Sequence, residues 1–317
     1  MIDDKAADMR CIIIGGGGFI GSHVAEALLA EGHQVTVFDR AETPNLNLLK
    51  ERGASLSIGD FSNSEDLESA LENQDVIFHL LSTTVPQTSN EDPSYDVETN
   101  VIGTLRLLDA ARKADIKKVI FASSGGTVYG LPQEIPIKET HPTDPTSSYG
   151  IGKLIIEKYL YMYWTLYGLD YCILRIANAY GERQRPTATQ GVIPVFLERA
   201  LKNNEVVVWG DGSVMRDYIF IADITSALVK ALTYSGEMKI FNIGSGQAHS
   251  LRDVIHAIER VTGRPLKVKY TEGRSFDVPI SVLDISRARS YLNWAPAISL
   301  FEGIARMYAW MSKQPER

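Results

Sequence analysis

The stretch Cys11-Ile12-Ile13-Ile14-Gly15-Gly16-Gly17-Gly18-Phe19-Ile20-Gly21 decides the fold. Four apolar residues read as a short strand and four glycines as a turn. Residues 21–30, with Val24, Ala27 and Leu28 on one stripe, read as a helix. Gly15, Gly18 and Gly21 give G-x-x-G-x-x-G between strand and helix. That spacing allows a tight turn, close approach of backbone to phosphate and close helix–strand packing. The helix N-terminus then offers unpaired N–H groups and a positive dipole end to an anion. The stretch reads as a cradle for a dinucleotide pyrophosphate, with Gly15, Gly18, Phe19, Ile20 and Gly21 expected to bind the cofactor.

Outward from this unit, strand-like segments at 34–38, 55–58, 76–81, 119–122 and 171–176 alternate with helix-like segments at 67–71, 101–114 and 149–167. The strands are short apolar runs, as expected when both faces of a sheet are covered. The pattern predicts an α/β fold with a Rossmann-type doubly wound parallel sheet. After Gly181 it loosens. Residues 192–202 look helical, 205–209 strand-like, 223–232 helical, and 241–243 form a strand returning to the main sheet. A helix at 251–261, a strand at 266–270 and a closing helix at 300–311 follow. We expect a dinucleotide-binding domain over 1–180 with returning segments near 217–245. A smaller, sequence-interleaved α/β substrate lobe is expected from 181–216 and 246–317.

The composition is that of an ordinary globular protein, 44% apolar and 22% charged, with net charge −7. No basic patch suggests nucleic acid, and no apolar run approaches a membrane span. The polar, acidic N-terminus does not resemble a signal peptide. Cys11 and Cys172 sit in apolar strands and form no disulfide framework, which suits a reducing cytoplasm. An acidic chain that binds a diphosphate must use local positive sites, so single arginines become informative. No metal is expected.

Asp39 follows the second strand, 18 residues after Gly21. A carboxylate there can take both ribose hydroxyls of adenosine and would repel a 2′-phosphate, favouring NAD over NADP. Arg40 is the dissenting neighbour, since it could hold a 2′-phosphate. Asp60, followed by Phe61, ends the third strand. It can receive the adenine amino group or cap the helix beginning near Ser64. Tyr149-Gly150-Ile151-Gly152-Lys153 puts a phenol and an ammonium one turn apart on a helix face. An unperturbed phenol titrates near 10, and a nearby ammonium or an oxidised nicotinamide favours the phenolate. Together with the glycine turn, the pair suggests a nicotinamide enzyme that moves a hydride and a proton.

These motifs resemble the extended short-chain dehydrogenase/reductase family, most closely its NAD-dependent nucleotide-sugar epimerase branch, of the UDP-glucose 4-epimerase type. The resemblance also covers Phe78-His79-Leu80, Asn100-Val101-Ile102-Gly103-Thr104, Ser123-Ser124-Gly125-Gly126-Thr127-Val128-Tyr129-Gly130, Leu174–Gly181, Trp209–Gly212, Arg216-Asp217-Tyr218 and Arg274-Ser275-Phe276-Asp277-Val278. It implies that Tyr149 removes the proton of a sugar 4-hydroxyl while NAD takes the C4 hydride. Lys153 would lower the Tyr149 pKa, and a 4-keto sugar would turn over before the hydride returns. It also implies that Leu80 and Asn100 belong to the cofactor side, Asn100 supporting the active-site helix. Asn178, Arg216 and Arg274 would hold the sugar diphosphate and Asp277 the nucleotide ribose.

The chain departs from the family at Gly125, where a Ser or Thr usually hydrogen-bonds the reacting hydroxyl. Ser124 is the expected substitute, with Ser123 and Thr127 as fallbacks. Related dehydratases and decarboxylases carry an acid before Val-Tyr-Gly. This chain has Gly126-Thr127, which favours simple 4-epimerisation. Dehydratase or decarboxylase chemistry stays an alternative, as do a keto-sugar reductase and a non-catalytic dinucleotide-binding regulator. In the resemblance, the position of Ser281 gates the sugar 2-substituent. A small residue there suggests that UDP-GlcNAc and UDP-GalNAc are accepted alongside UDP-glucose and UDP-galactose. The loop at Ser82 is a further substrate candidate. Related proteins dimerise through two helices per subunit, and Leu154, Tyr161, Trp164 and Leu166 suit a homodimer interface or the core.

Overall fold

The computed structural model describes residues 8–186, 191–273 and 278–314. Its strands in chain order are β1 (Arg10–Ile14), β2 (Gln34–Asp39), β3 (Ser55–Ile58), β4 (Val76–His79), β5 (Lys118–Ser124), β6 (Asp170–Ile176), β7 (Asn178–Tyr180), β8 (Val206–Trp209), β9 (Met215–Phe220), β10 (Ile240–Ile243), β11 (Ala248–Ser250), β12 (Val268–Thr271) and β13 (Ile280–Ser281). A seven-stranded sheet has the order β10-β6-β5-β4-β1-β2-β3. Within it β1 runs parallel to β2 and β4, β2 to β3, and β4 to β5. This is the Rossmann-type sheet expected from the sequence, and β10 returns to it, lying beside β6. Strand order reverses between β1 and β4, so the carboxyl ends of these strands open a crevice for a ligand. The glycine turn starts there, one residue after Ile14.

By contacts the chain forms two units. One comprises the chain up to Val128, Pro145–Arg175 and Thr225–Phe241. Its core gathers Ile12, Ile14, Phe38, Ile77, Phe121 and Ile173 from the sheet with Leu107, Ile156 and Leu160 from the covering helices. Each such side chain contributes about 1.5–3 kcal/mol on full burial. The other comprises Tyr129–Asp144, Ile176–Ile224 and the chain from Asn242 on. There β9 pairs antiparallel with β11 and parallel with β7 and β13, while β8 and β12 form a parallel pair. Helices Leu251–Thr262 and Leu300–Met311 pack together in this unit.

Several elements lie outside the sequence reading. The helix expected from residue 101 begins as a π-helical turn, Val97–Ile102, and becomes α-helical over Gly103–Lys113. Thr104 Oγ1 donates to the Asn100 carbonyl at 2.6 Å, and the Gly103 N–H donates to the same carbonyl. Short helices Pro44–Glu51 and Pro93–Asp96 carry an N-cap, Thr43 or Asp92, followed by proline. That sequence signal for a helix start was available. Strand β9 carries the polar Arg216-Asp217 after its first residue, which hides it from a search for apolar runs. Strands β7, β11 and β13 have only two or three residues, too few to show a period.

Candidate active site

The turn after β1 is shaped by what its glycines lack. Gly15 has φ +82°, and a Cβ there would lie 2.9 Å from the Leu81 Cα. A Cβ at Gly21 would lie 2.5 Å from the Gly15 carbonyl oxygen. Gly18 is exposed and serves as N-cap of helix Phe19–Ala30, which has no side-chain cap and no acid in its first turn. The first N–H groups of that helix have no intrahelical acceptor. A bare turn with free donors and a positive helix end fits a dinucleotide diphosphate. Asp39 Oδ2 accepts the Gly17 N–H at 3.0 Å and Oδ1 accepts the Arg40 N–H at 2.8 Å. Its carboxylate is therefore fixed beside the turn with lone pairs to spare for ribose hydroxyls. The Arg40 side chain is exposed.

Asp60 Oδ1 accepts the Ser62 N–H and hydroxyl at 2.8 and 2.7 Å, and these bonds hold its carboxyl below the usual range. Asn63, not Asp60, caps helix Ser64–Leu71. Phe61 is buried 5.5 Å from the His79 ring, and the Leu80 N–H donates to the Ile14 carbonyl at 3.0 Å.

Tyr149 and Lys153 stand on the first turns of helix Ser148–Tyr167. The N-cap Ser147 side chain accepts the Gly150 N–H, and the left-handed Gly168 ends the helix. Lys153 is 6% exposed. Its Nζ donates to the Ala122 carbonyl at 2.9 Å and lies 4.7 Å from the Phe121 ring centroid and 5.6 Å from that of Tyr149. Burial pulls its pKa down to about 8 against the charges of Asp96 and Glu157. Burial, then Asp96, pushes the half-buried Tyr149 up to about 12. The phenol is thus protonated at neutral pH until further positive charge is placed beside it.

Ser124 is the last residue of β5, two beyond Ala122, and its carbonyl accepts the Val128 N–H at 3.2 Å. The turn that follows packs on the helix. A Cβ at Gly150 would lie 2.8 Å from the Thr127 carbonyl oxygen. Thr127 Oγ1 is buried without a hydrogen-bond partner among the described residues. The structure therefore gathers Tyr149, Lys153, Ser124 and Thr127 at the carboxyl end of β5.

Asn100 Oδ1 accepts the Thr83 N–H at 3.0 Å. Its Nδ2 donates to Thr84 Oγ1 at 3.2 Å and Asp96 Oδ1 at 2.9 Å. Ser82 Oγ donates to the Thr84 carbonyl at 3.0 Å. Asn100 thus holds the loop after β4, and it reaches the Tyr149 helix through Asp96. Sequence reasoning missed Asp96, Glu157 and Arg175. Glu157 receives Ser123 Oγ at 2.5 Å and Arg175 Nη2 at 2.6 Å, fully inside the unit. A charged residue inside the apolar run of β6 was the available signal, because a buried arginine needs a partner. His79 was noted only as motif. Burial takes its pKa down to about 3, so it is neutral. Thr104 uses its proton on Asn100, so His79 Nε2, 2.8 Å away, donates to Thr104 Oγ1.

In the second unit Asn178 Nδ2 donates to the Asp217 carbonyl at 2.9 Å. Arg216 Nη1 donates to the carbonyls of Met215 at 2.9 Å and Val278 at 2.6 Å. Ser281 on β13 is in register with Arg216 on β9. Arg274 and Asp277 lie outside the described residues.

Known proteins resemble this chain over nearly its whole length. A UDP-glucose 4-epimerase of Mycolicibacterium smegmatis is 39% identical over 305 residues, covering 94% of this chain and 97% of its own. The Thermus thermophilus UDP-glucose 4-epimerase, solved in complex with NAD, superposes with a TM-score of 0.88 at 34% identity, covering 96% of this chain and 99% of its own. The UDP-N-acetylglucosamine 4-epimerase of Methanobrevibacter ruminantium superposes with a TM-score of 0.91 at 30% identity, covering 97% and 99%. The model of the NAD dependent epimerase/dehydratase family matches residues 11–244. This chain belongs to that family.

Proposed function

We propose that this chain is an NAD-retaining 4-epimerase of UDP-hexoses. The observation that carries the reading is the Tyr149–Lys153 pair against the carboxyl end of β5, in the same unit as a turn that can hold a dinucleotide and followed on that strand by the acid-free Gly126-Thr127. Gly15, Gly18, Phe19, Ile20, Gly21 and Asp39 hold the cofactor, with Arg40, Asp60, Phe61, Leu80 and Asn100 around it. When bound, NAD would supply the hydride acceptor, and in its reduced form the hydride donor, for C4 of the sugar. Tyr149 as phenolate takes the proton of the 4-hydroxyl onto its oxygen and gives it back to the 4-oxygen. The Lys153 ammonium and the positive charge of the oxidised nicotinamide together bring Tyr149 down from its raised value. Ser124, with Thr127 beside it, directs a hydroxyl at the reacting oxygen.

Residues 1–180 with the segments near 217–245 form the NAD-binding domain in this reading. The lobe of 181–216 and 246–317 binds the nucleotide sugar. Asn178, Arg216, Arg274 and Asp277 hold the nucleoside diphosphate, because guanidinium forks match phosphate oxygens. The small Ser281 leaves room for an N-acetyl group, in keeping with the similar UDP-N-acetylglucosamine 4-epimerase. Tyr161, Trp164 and Leu166 are exposed on helix Ser148–Tyr167 and Leu154 is half-buried there; they supply apolar contacts for a homodimer formed through two helices per subunit. Both cysteines are free and buried, which suits the cytoplasm.

Purified protein is incubated with UDP-GlcNAc or UDP-glucose without added cofactor, and C4 epimers are followed by NMR. We expect both to convert, and Tyr149→Phe to lose about 10²–10⁴-fold in kcat. Conversion of UDP-glucose alone removes the Ser281 argument. A requirement for added NADPH turns the reading to a keto-sugar reductase.

A further inference from the structure

Asp96 is 1% exposed and closes the one-turn helix Pro93–Asp96. Its carboxylate collects three side-chain donors. Thr84 Oγ1 and Asn100 Nδ2, the latter at 2.9 Å, donate to Oδ1, and Ser148 Oγ donates to Oδ2 at 2.7 Å. These donors come from the loop after β4, the π-helical turn and the first residue of the Tyr149 helix, and all three are neutral. A buried carboxylate is costly unless a positive charge stands near it. The helix backbone comes against this carboxylate at Gly152, where a Cβ would lie 3.6 Å from Asp96 Oδ2. The next residue is the buried Lys153. The other carboxylate facing Lys153, Glu157, is already paired with Arg175 at 2.6 Å.

We propose that Asp96 is the positioning residue of the Tyr149–Lys153 pair: it fixes the first turn of their helix through Ser148 and supplies the uncompensated negative charge that keeps Lys153 an ammonium. This rests on the reading of Tyr149 and Lys153 as the reacting pair. The charge of Asp96 raises the titration of both Lys153 and Tyr149. The other groups facing the pair are Glu157 on the same helix, the neutral His79 of β4, and the Phe121 ring and Ala122 carbonyl of β5. None of these replaces Asp96, since Glu157 is spent on Arg175 and the rest carry no negative charge.

Two variants separate the charge from the hydrogen bond. Asp96→Asn removes the charge, so both limbs of the pH profile of kcat for UDP-galactose move to lower pH by about one unit. Ser148→Ala keeps the charge, so the limbs stay in place while kcat falls several-fold at unchanged KM. Asp96→Asn limbs that superimpose on wild type would overturn the charge role. Wild-type kcat in Ser148→Ala would overturn the helix-fixing role. A thermal-melting cycle needs no substrate. Lys153→Met strands the Asp96 charge and melts lower, and Lys153→Met/Asp96→Asn melts higher than Lys153→Met. A double variant melting no higher overturns the proposal, even if Asp96→Asn alone fails to fold. Because the cycle reads stability, it stays decisive should the wild type epimerise neither UDP-sugar, a result that counts against the proposed function alone.

Discussion

The two units use buried carboxylates in opposite ways. In the first, long parallel strands and an apolar core set the fold, and the deepest charges, Asp96, Lys153, Glu157 and Arg175, gather where the chemistry is proposed. In the second, strands of two to six residues meet around β9, and two carboxylates tie the chain together by collecting backbone N–H groups. Asp217 accepts the N–H and hydroxyl of Ser245 at 2.7 Å each, and the N–H groups of Gly246 and Leu283 at 3.2 Å. Asp223 accepts those of Ala297 at 2.9 Å and Ile298 at 3.1 Å, while its own carbonyl takes the Trp294 indole at 3.1 Å. Burial pushes both carboxyls up, which is the cost of placing charge where short strands leave donors unpaired. A fold with long ladders satisfies its backbone internally, whereas one built of fragments borrows acceptors from side chains.

The comparison breaks if those carboxylates prove dispensable. Asp217→Ala strands three N–H groups, the buried one of Leu283 and the part-buried ones of Ser245 and Gly246, so we expect a loss of about 3 kcal/mol in urea unfolding. Hydrogen exchange should localise the loss to Ser245, Gly246 and Leu283. Asp223→Ala strands two, and about 2 kcal/mol should follow, with protection lost at Ala297 and Ile298. Equal effects from the two variants would mean that donor count is not what matters.

The same contrast explains what could be read from the sequence. The first unit was legible because residues 11–14, 119–122 and 171–174 are apolar runs of four and Gly15, Gly18 and Gly21 announce their turn. Tyr149, Lys153 and Asp39 carried recognisable spacings. Asp96 did not, because its partners Thr84, Asn100 and Ser148 are joined only by folding. The second unit was blurred for the same reason. Asp217 looked like part of an Arg-Asp-Tyr motif, and nothing local shows that residues 245, 246 and 283 converge on it. The π-helical turn was hidden too, since no residue type in 97–102 announces one.

A third carboxylate, in the first unit, sharpens the contrast by pH. Asp75 is bonded by Arg10 Nε at 2.9 Å, Arg10 Nη2 at 3.0 Å and Lys117 Nζ at 2.8 Å, and Arg10 holds it well below the usual carboxylate range. A depressed carboxyl contributes stability above its ordinary pKa and loses it as pH falls through the lowered folded value. Asp217 and Asp223 have the opposite sign. Raised carboxyls bind the proton better in the folded state, so their contribution grows as pH falls through their folded values. Asp75→Asn should therefore lower the urea midpoint at neutral pH, by less than either alanine variant, because Arg10 and Lys117 reach it from the surface. That difference from wild type should shrink as the pH is taken below about 4, the ordinary carboxylate range. A difference that persists unchanged into acid would show that Asp75 acts through shape and neutral hydrogen bonds, as Asp217 does, and would erase the distinction between the two units.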